Sequence, residues 1–253
     1  VKILLTGHNG FIGSHLKTAL EAEHEVTLFN WGDPEPQVEG QDWVVHVGAI
    51  SSTTERDVEK VMRQNLDFSV YLYQQCRHHG VNFQFASSAS VYGLGTDFSE
   101  TAPVDPRTPY AWSKYLMERY IRQVAPKNMY AQCFRYFNVY GPEGEEHKGT
   151  QASPFMQFKK QAEETGVVKI FDVDAQRDFV HISKIVDTHI RFFDVEQSGI
   201  FNVGSGSTKS FREIAELYTD RIEVIPMPAN LQSSYQTYTC ADMTKTNKAL
   251  TKH

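Results

Sequence analysis

The chain has 253 residues, 40% of them hydrophobic and 22% charged, with a formal net charge of −6. That length suits one large α/β domain, with or without a small appendage, and the acidic balance argues against nucleic acid as a partner. No apolar run is long enough to span a bilayer. Cys76, Cys133 and Cys240 lie far apart without metal-ligand spacing, so no metal and a reducing, cytoplasmic setting are expected.

Lys2–Thr6 reads as a first strand, not as a signal peptide. It runs into Gly7-His8-Asn9-Gly10-Phe11-Ile12-Gly13 and then a helical stretch, Ser14–Leu20. Glycines spaced in this way between strand and helix are a dinucleotide signal. The first permits a tight turn, the second lets a pyrophosphate approach backbone N–H groups, and the third lets helix and strand pack closely. His24–Asn30 is the second strand. An acid commonly ends this strand and holds the adenosine ribose hydroxyls. Asn30 stands there instead; it can bond hydroxyls and does not repel a 2′-phosphate, and no arginine or lysine follows it before Arg56. The choice between NAD and NADP therefore stays open.

Trp31–Gln41 is acidic, Pro/Gly-bearing and too short for a further helix–strand unit. Asp42–Val47 is a strand ending in Gly48-Ala49-Ile50-Ser51-Ser52-Thr53, small residues that let a ligand lie close, or an ordinary polar loop. Val58–His79 is expected as one helix, with Leu66, Val70 and Tyr73 at helical spacing. Asn65 within it either bridges two strand ends or faces solvent. Val81–Ala86 is a strand, and a hydroxyl from the following Ser87–Gly93 segment is placed to bond a substrate oxygen, unless the segment is only a serine-rich turn.

Asp105–Pro109 is a natural helix entrance, and Tyr110 and Lys114 then share one helix face. Tyrosine is a poor base, with a reference pKa of about 10. A nearby lysine and the charge of an oxidised nicotinamide would stabilise the phenolate. A shift of roughly 3 units corresponds to about 4 kcal/mol. Such a phenolate could take a proton from a sugar alcohol while hydride leaves the same carbon. Alone, Tyr-x-x-x-Lys is an ordinary surface pair; its weight comes from its surroundings. Downstream, Met129–Asn138 reads as a strand and Glu143–Gly149 as a loop whose His147-Lys148-Gly149 offers a second proton donor. Ala152–Glu164 reads as a helix and Val167–Phe171 as a strand. Arg177 beside Asp178-Phe179-Val180 suits a phosphate, or forms an ion pair. Ile182–Val195 and Ser210–Tyr218 read as helices, Ile200–Val203 and Arg221–Ile225 as strands, and the tail from Pro226 as polar and irregular.

The glycine pattern, Ser87-Ser88, Tyr110/Lys114 and Arg135–Pro142 together resemble the extended short-chain dehydrogenase/reductase family of nucleotide-sugar epimerases. More narrowly, Ser51–Glu55, Phe134–Gly141, His147–Gly149, Arg177–Val180 and Ser234–Gln236 resemble the ADP-glycero-manno-heptose 6-epimerases. The resemblance implies a Rossmann-type, doubly wound parallel α/β sheet with a small C-terminal substrate-binding lobe. Residues 1–142, with 172–203 returning to them, would bind the dinucleotide. Residues 143–171 and 204–253 would form the lobe, without the final helix that the family usually has. Tyr110 would be one acid/base, Lys114 would hold the nicotinamide ribose, Ser88 would orient the sugar hydroxyl, and Lys148 would be the second acid/base. Gly7, Gly10, Phe11, Ile12, Gly13, Asn30, Gly48, Ala49, Ser51, Asn65 and Val139 would line the NAD or NADP site. Asn138, Thr150, Gln157, Phe171, Arg177 and Tyr235 would line the nucleotide sugar. Gln157 stands where these epimerases tend to have histidine.

The activity implied is transient oxidation of the sugar to a ketone and return of hydride to its other face, in lipopolysaccharide-precursor metabolism. A 4-epimerase or 4,6-dehydratase is the alternative enzyme, although Ala89 and Ser90 lack a dehydratase's acid and base. A non-catalytic dinucleotide sensor is the alternative outside catalysis. Phe68, Tyr71, Tyr115 and Tyr120 exceed what one core face needs, and the resemblance implies that their helices pair into a homodimer or larger assembly.

Overall fold

The computed structural model describes residues 1–142 and 144–251. β1 (Lys2–Thr6), α1 (Phe11–Glu21) and β2 (Glu25–Phe29) form the first unit. The chain then crosses back over β1, without a helix, to β3 (Trp43–His46). Next come α2 (Val58–Val61), a wide π turn over Met62–Asp67, and α3 (Phe68–His79). They are followed by β4 (Asn82–Ser88), α4 (Pro109–Gln123), β5 (Ala131–Tyr136) and β6 (Asn138–Tyr140). The remainder comprises α5 (Pro154–Thr165), β7 (Val168–Phe171), β8 (Gln176–Arg177), β9 (Phe179–His181), α6 (Ile182–Arg191), β10 (Gly199–Val203), β11 (Lys209–Ser210), α7 (Phe211–Ala215), β12 (Ile222–Ile225), α8 (Ala229–Gln232) and α9 (Thr244–Leu250).

The central sheet has six parallel strands in the order β2-β1-β3-β4-β5-β10. Its inner strands are apolar on both faces, as a doubly covered parallel sheet requires. Ile3, Leu5, Trp43 and Val45 pack with Leu16 and Leu20 of α1 and are flanked by Val186 and Ile190 of α6. Leu4, Val44 and Phe83 point the other way, toward Leu72 and Cys76 of α3 and Met117 of α4. The direction of winding reverses between β1 and β3, so a crevice opens at their C-terminal ends, where such sheets bind ligands. A separate apolar cluster joins Phe158, Val168, Ile170, Phe179 and Ile214, with β12 pairing parallel to β7.

Local chemistry sets the helix ends. Thr108 caps α4 by accepting from Ala111 N–H (3.1 Å), and Pro109 fills its first turn. The Trp31–Gln41 crossover carries no helix or strand, and Val38 pins it into the core beside Phe29 and Leu72.

Two expectations change. The stretch from Val58 to His79 is not one regular helix: at the π turn its backbone widens, and the Asn65 side chain reaches outside the helix. The tail is not irregular either. It ends in α9, which packs on β10: Thr246 Oγ1 donates to Asn202 O (2.7 Å) and Lys245 Nζ to Ile200 O (2.6 Å), while Met243 and Ala249 enter the core. With only three of those contact residues apolar or aliphatic-stemmed, the helix left a weak periodic signal.

Candidate active site

A cavity of about 510 Å³ lies at the switch point, lined by Gly7, Gly10, Phe11, Ile12, Gly13, Asn30, Gly48, Ala49 and Ser51. Gly7 has φ +75, and a Cβ there would sit 2.4 Å from Gly48 Cα; one on Gly13 would sit 2.0 Å from Gly7 O. These glycines keep a cradle open that any side chain would fill. Among the described residues no side chain caps α1, so its first N–H groups remain for an anion. His8 Nδ1 is buried without a hydrogen-bond partner among the described residues. The cradle, the uncapped helix and the orphaned nitrogen fit a nicotinamide dinucleotide.

Ser88, Tyr110 and Lys114 come together, although none of them is among the residues lining this cavity. Lys114 Nζ lies 4.8 Å from the centre of the Phe85 ring and 5.7 Å from that of Tyr110. Burial holds the Lys114 amine down at about 7, opposed by the Glu118 carboxylate one turn on. Burial also pushes the Tyr110 phenol above its ordinary value, and a hydrogen bond with Ser88 works against that rise. In the protein alone desolvation outweighs the Ser88 bond, and the lowering expected from Lys114 is not among the causes acting on the phenol.

A hydrogen-bonded chain underlies this group and was not expected from the sequence. Gly48 N–H donates to Thr6 Oγ1 (3.2 Å), Thr6 Oγ1 lies 2.6 Å from His46 Nδ1, and His46 Nε2 lies 2.7 Å from Ser69 Oγ. Ser69 gives its own proton to Asn65 O (2.5 Å), so it accepts from His46 Nε2–H, and Nδ1 accepts from Thr6. The ring is therefore a neutral tautomer, consistent with burial and Lys114 holding its pKa down at about 3. Asn65 then spans from the loop after β3 to α4. It accepts from Ile50 N–H (2.8 Å) and donates to Ile50 O (3.0 Å) and Ser113 Oγ (3.2 Å), which in turn donates to Tyr110 O (2.7 Å). Asn65 thus braces the site from behind; it does not line the cavity. Below it, Arg135 forms a bidentate pair with Glu118 (2.8 and 2.6 Å), which also accepts from Ser87 Oγ (2.6 Å). Glu118 lies one turn beyond Lys114, a spacing that could have revealed it. His46 sits in an apolar strand with no such signal.

A second, larger cavity of about 950 Å³ is lined by Asn138, Gln157, Phe171, Arg177 and Tyr235, among others. Arg177 stacks over Tyr235 (4.9 Å), and its Nε is buried without a hydrogen-bond partner among the described residues. Gln157 is turned back, donating to Ala152 O (2.5 Å). A third cavity, about 230 Å³, shares Arg177 and Tyr235 and adds Thr53, Arg56, Ser90, Arg107 and Ala111. Lys148 lines the glycine-loop cavity instead, 4.8 Å from the Phe11 ring centre and 3.9 Å from the buried Glu145 carboxylate. Burial lowers its pKa and Glu145 opposes the fall. Val139 packs against the core around Phe11, outside the three cavities. The side chains of His147 and Thr150 lie outside the described residues.

A doubly wound parallel sheet, a glycine cradle at its switch point and a Tyr–Lys pair on the helix after β4 define a Rossmann-type dinucleotide-binding fold. The chain belongs to the NAD dependent epimerase/dehydratase family, which it matches over residues 3–204. It is similar in structure to the Helicobacter pylori ADP-L-glycero-D-manno-heptose-6-epimerase (TM-score 0.87, 24% identity, covering 99% of this chain and 90% of that one). It is also similar to the UDP-N-acetylglucosamine 4-epimerase of Methanobrevibacter ruminantium in complex with UDP-N-acetylmuramic acid (0.88, 22%, 98% and 91%). A third similar structure is MoeE5 in complex with UDP-glucuronic acid and NAD (0.82, 25%, 99% and 93%).

Proposed function

We propose that the protein is a nucleotide-sugar epimerase working through transient oxidation of its sugar, and that its chemistry is that of an ADP-glycero-manno-heptose 6-epimerase. The observation carrying this reading is the Ser88–Tyr110–Lys114 group, in one protein with a dinucleotide cradle and cavities holding Arg177. A nicotinamide dinucleotide bound in the cradle supplies the hydride acceptor and donor. Ser88 orients the sugar hydroxyl, and Tyr110 takes and later returns its proton. Lys114 holds ribose hydroxyls and offers positive charge beside the phenol. Arg177, with a free donor on a stacked guanidinium, holds the diphosphate. Lys148 is assigned the second acid/base role through the His147-Lys148-Gly149 resemblance. To perform it, its flexible stem turns from Glu145 toward the sugar.

A second reading, a 4-epimerase acting on an acidic sugar, is favoured by the cavity of about 230 Å³. Arg56, Arg107 and Arg177 line it, Arg107 paired with Asp105 (2.6 Å), and no carboxylate is among its described lining residues. The similar MoeE5 structure holds UDP-glucuronic acid. The test is to incubate the purified protein with ADP-D-glycero-manno-heptose and, separately, with UDP-glucuronic acid, following the carbon-6 and carbon-4 protons by NMR. Conversion of the heptose, lost in Tyr110→Phe, supports the first reading. Conversion of the uronate alone replaces it with the second, and turnover of neither sugar refutes both. We also infer a homodimer formed through α3 and α4, where Trp112 is 44% exposed. A monomer in light scattering would refute it.

A further inference from the structure

The acid that commonly closes the second strand of such a fold is absent from its usual place, yet a carboxylate still reaches that place. Asn30 follows β2, and a turn through Gly32 (φ +101) folds Asp33 back on it. Asp33 N–H donates to Asn30 O (3.0 Å), and Asp33 Oδ2 accepts from Asn30 N–H (2.6 Å). The Asn30 side chain donates to His8 Nε2 (3.1 Å), which leaves its amide oxygen free, among the described residues, to accept from a hydroxyl. A second carboxylate is fixed nearby: Glu35 accepts from Tyr71 OH, and the Tyr71 ring stacks beside Phe68, which lines the cavity with Asn30 and Trp31. Lys148 is the one charged side chain among the described lining residues, and it stands over Phe11 at the glycine loop, not at Asn30.

We propose that Asp33, supported by Glu35, makes this cavity select NAD over NADP. The proposal rests on reading the cavity as the dinucleotide site. The ribose 2′- and 3′-hydroxyls are donors that the Asn30 amide oxygen and the Asp33 carboxylate can accept. A 2′-phosphate carries nearly two negative charges at neutral pH, by analogy with other phosphate monoesters. Neither carboxylate lines the cavity itself, but a 2′-phosphate beside Asn30 would stand next to Asp33, which accepts from the Asn30 N–H, with Glu35 beyond Phe68 and Tyr71; the lining cation, Lys148, stands at the glycine loop instead. Asn30 by itself tolerates either cofactor; the Asn30–Asp33 turn removes that tolerance without an acid in the strand. Both carboxylates are solvent-exposed, so their repulsion is screened by salt.

The test is calorimetric titration of NAD and NADP into protein stripped of bound dinucleotide. NAD is expected to bind at least about tenfold tighter, with a gap that narrows as ionic strength rises. Asp33→Ser should narrow the gap several-fold, and Glu35→Gln should narrow it less. Because Asp33 is exposed, thermal unfolding of Asp33→Ser should match the wild type, which separates lost selectivity from lost fold. Equal affinities in the wild type, tighter NADP, or a ratio unchanged in Asp33→Ser overturns the proposal and leaves the dinucleotide site standing. Binding of neither cofactor overturns the site reading, and the proposal with it.

Discussion

Lys114 carries a buried charge whose cost can be measured directly. It is 3% exposed, and burial lowers its pKa from 10.5 to about 7. Between those two values the unfolded chain binds more protons than the folded one, so stability rises with pH. Below the folded value both states are charged and the whole desolvation cost is present; above the unfolded value both are neutral and it is gone. From about pH 7 to about pH 9 the recovery amounts to about 2 kcal/mol, approaching about 1.4 kcal/mol per pH unit at the alkaline end. Lys114→Met keeps the length of the stem and removes the titration. Wild type and variant, both free of dinucleotide, would be unfolded in urea at several values across that window. The stability of the wild type relative to the variant should grow by about 2 kcal/mol. Taking the difference cancels Tyr73 and Cys76, whose pKa values burial raises and which therefore lower stability at alkaline pH. A difference that stays flat with pH would refute a depressed Lys114.

Other substitutions test the remaining parts. Arg135 and Glu118 are each 1% exposed, so Glu118→Leu strands a buried guanidinium and should cost about 3–5 kcal/mol in chemical denaturation, whereas the double change to methionine should cost far less. Gly13→Ala puts a Cβ 2.0 Å from Gly7 O, and calorimetry should show dinucleotide affinity falling at least roughly a hundredfold. His46 and His189 are both held down at about 3 by burial. As pH falls below 6.5 the unfolded chain protonates them first, so stability should drop by up to about 1.4 kcal/mol per pH unit for each, and His189→Gln should flatten that limb in urea titrations. Arg177→Met should weaken nucleotide-sugar binding by about 1.5–3 kcal/mol while leaving dinucleotide affinity unchanged.

What the sequence made legible was local. The glycine loop and the Tyr110–Lys114 face are each encoded in a short stretch of chain, and β1 falls where its apolar run predicts. The apolar runs also place the other five strands of the central sheet to within a residue or two. The π turn escaped because its apolar spacing is that of a helix; only the partners of Asn65, Ile50 and Ser113, distinguish it. The chain from Thr6 through His46 and Ser69 joins three separate elements, and no spacing rule relates them. Lys148 was expected from resemblance at the sugar. Its resting partners are Phe11 and Glu145, and Glu145 is held by Ser153 and Gly141, contacts set by tertiary packing and not by motif.

The helix-free crossover between β2 and β3 also shapes how the molecule behaves toward its own copies. It leaves β2 as the last strand of the sheet, with one side unpaired among the described residues. An unpaired strand edge is a template for another chain. β2 answers with alternation: Val26 and Leu28 turn toward the cluster around α1, while Glu25 and Thr27 are exposed. Glu25 lies 3.9 Å from Lys2, and Thr27 Oγ1 accepts from Gln41 Nε2 (3.4 Å). A carboxylate and a hydroxyl thus stand exposed on the face turned away from α1. Replacing both with valine would leave an apolar five-residue ribbon on an open edge, and the solution would lose its colloidal stability before the fold lost its own.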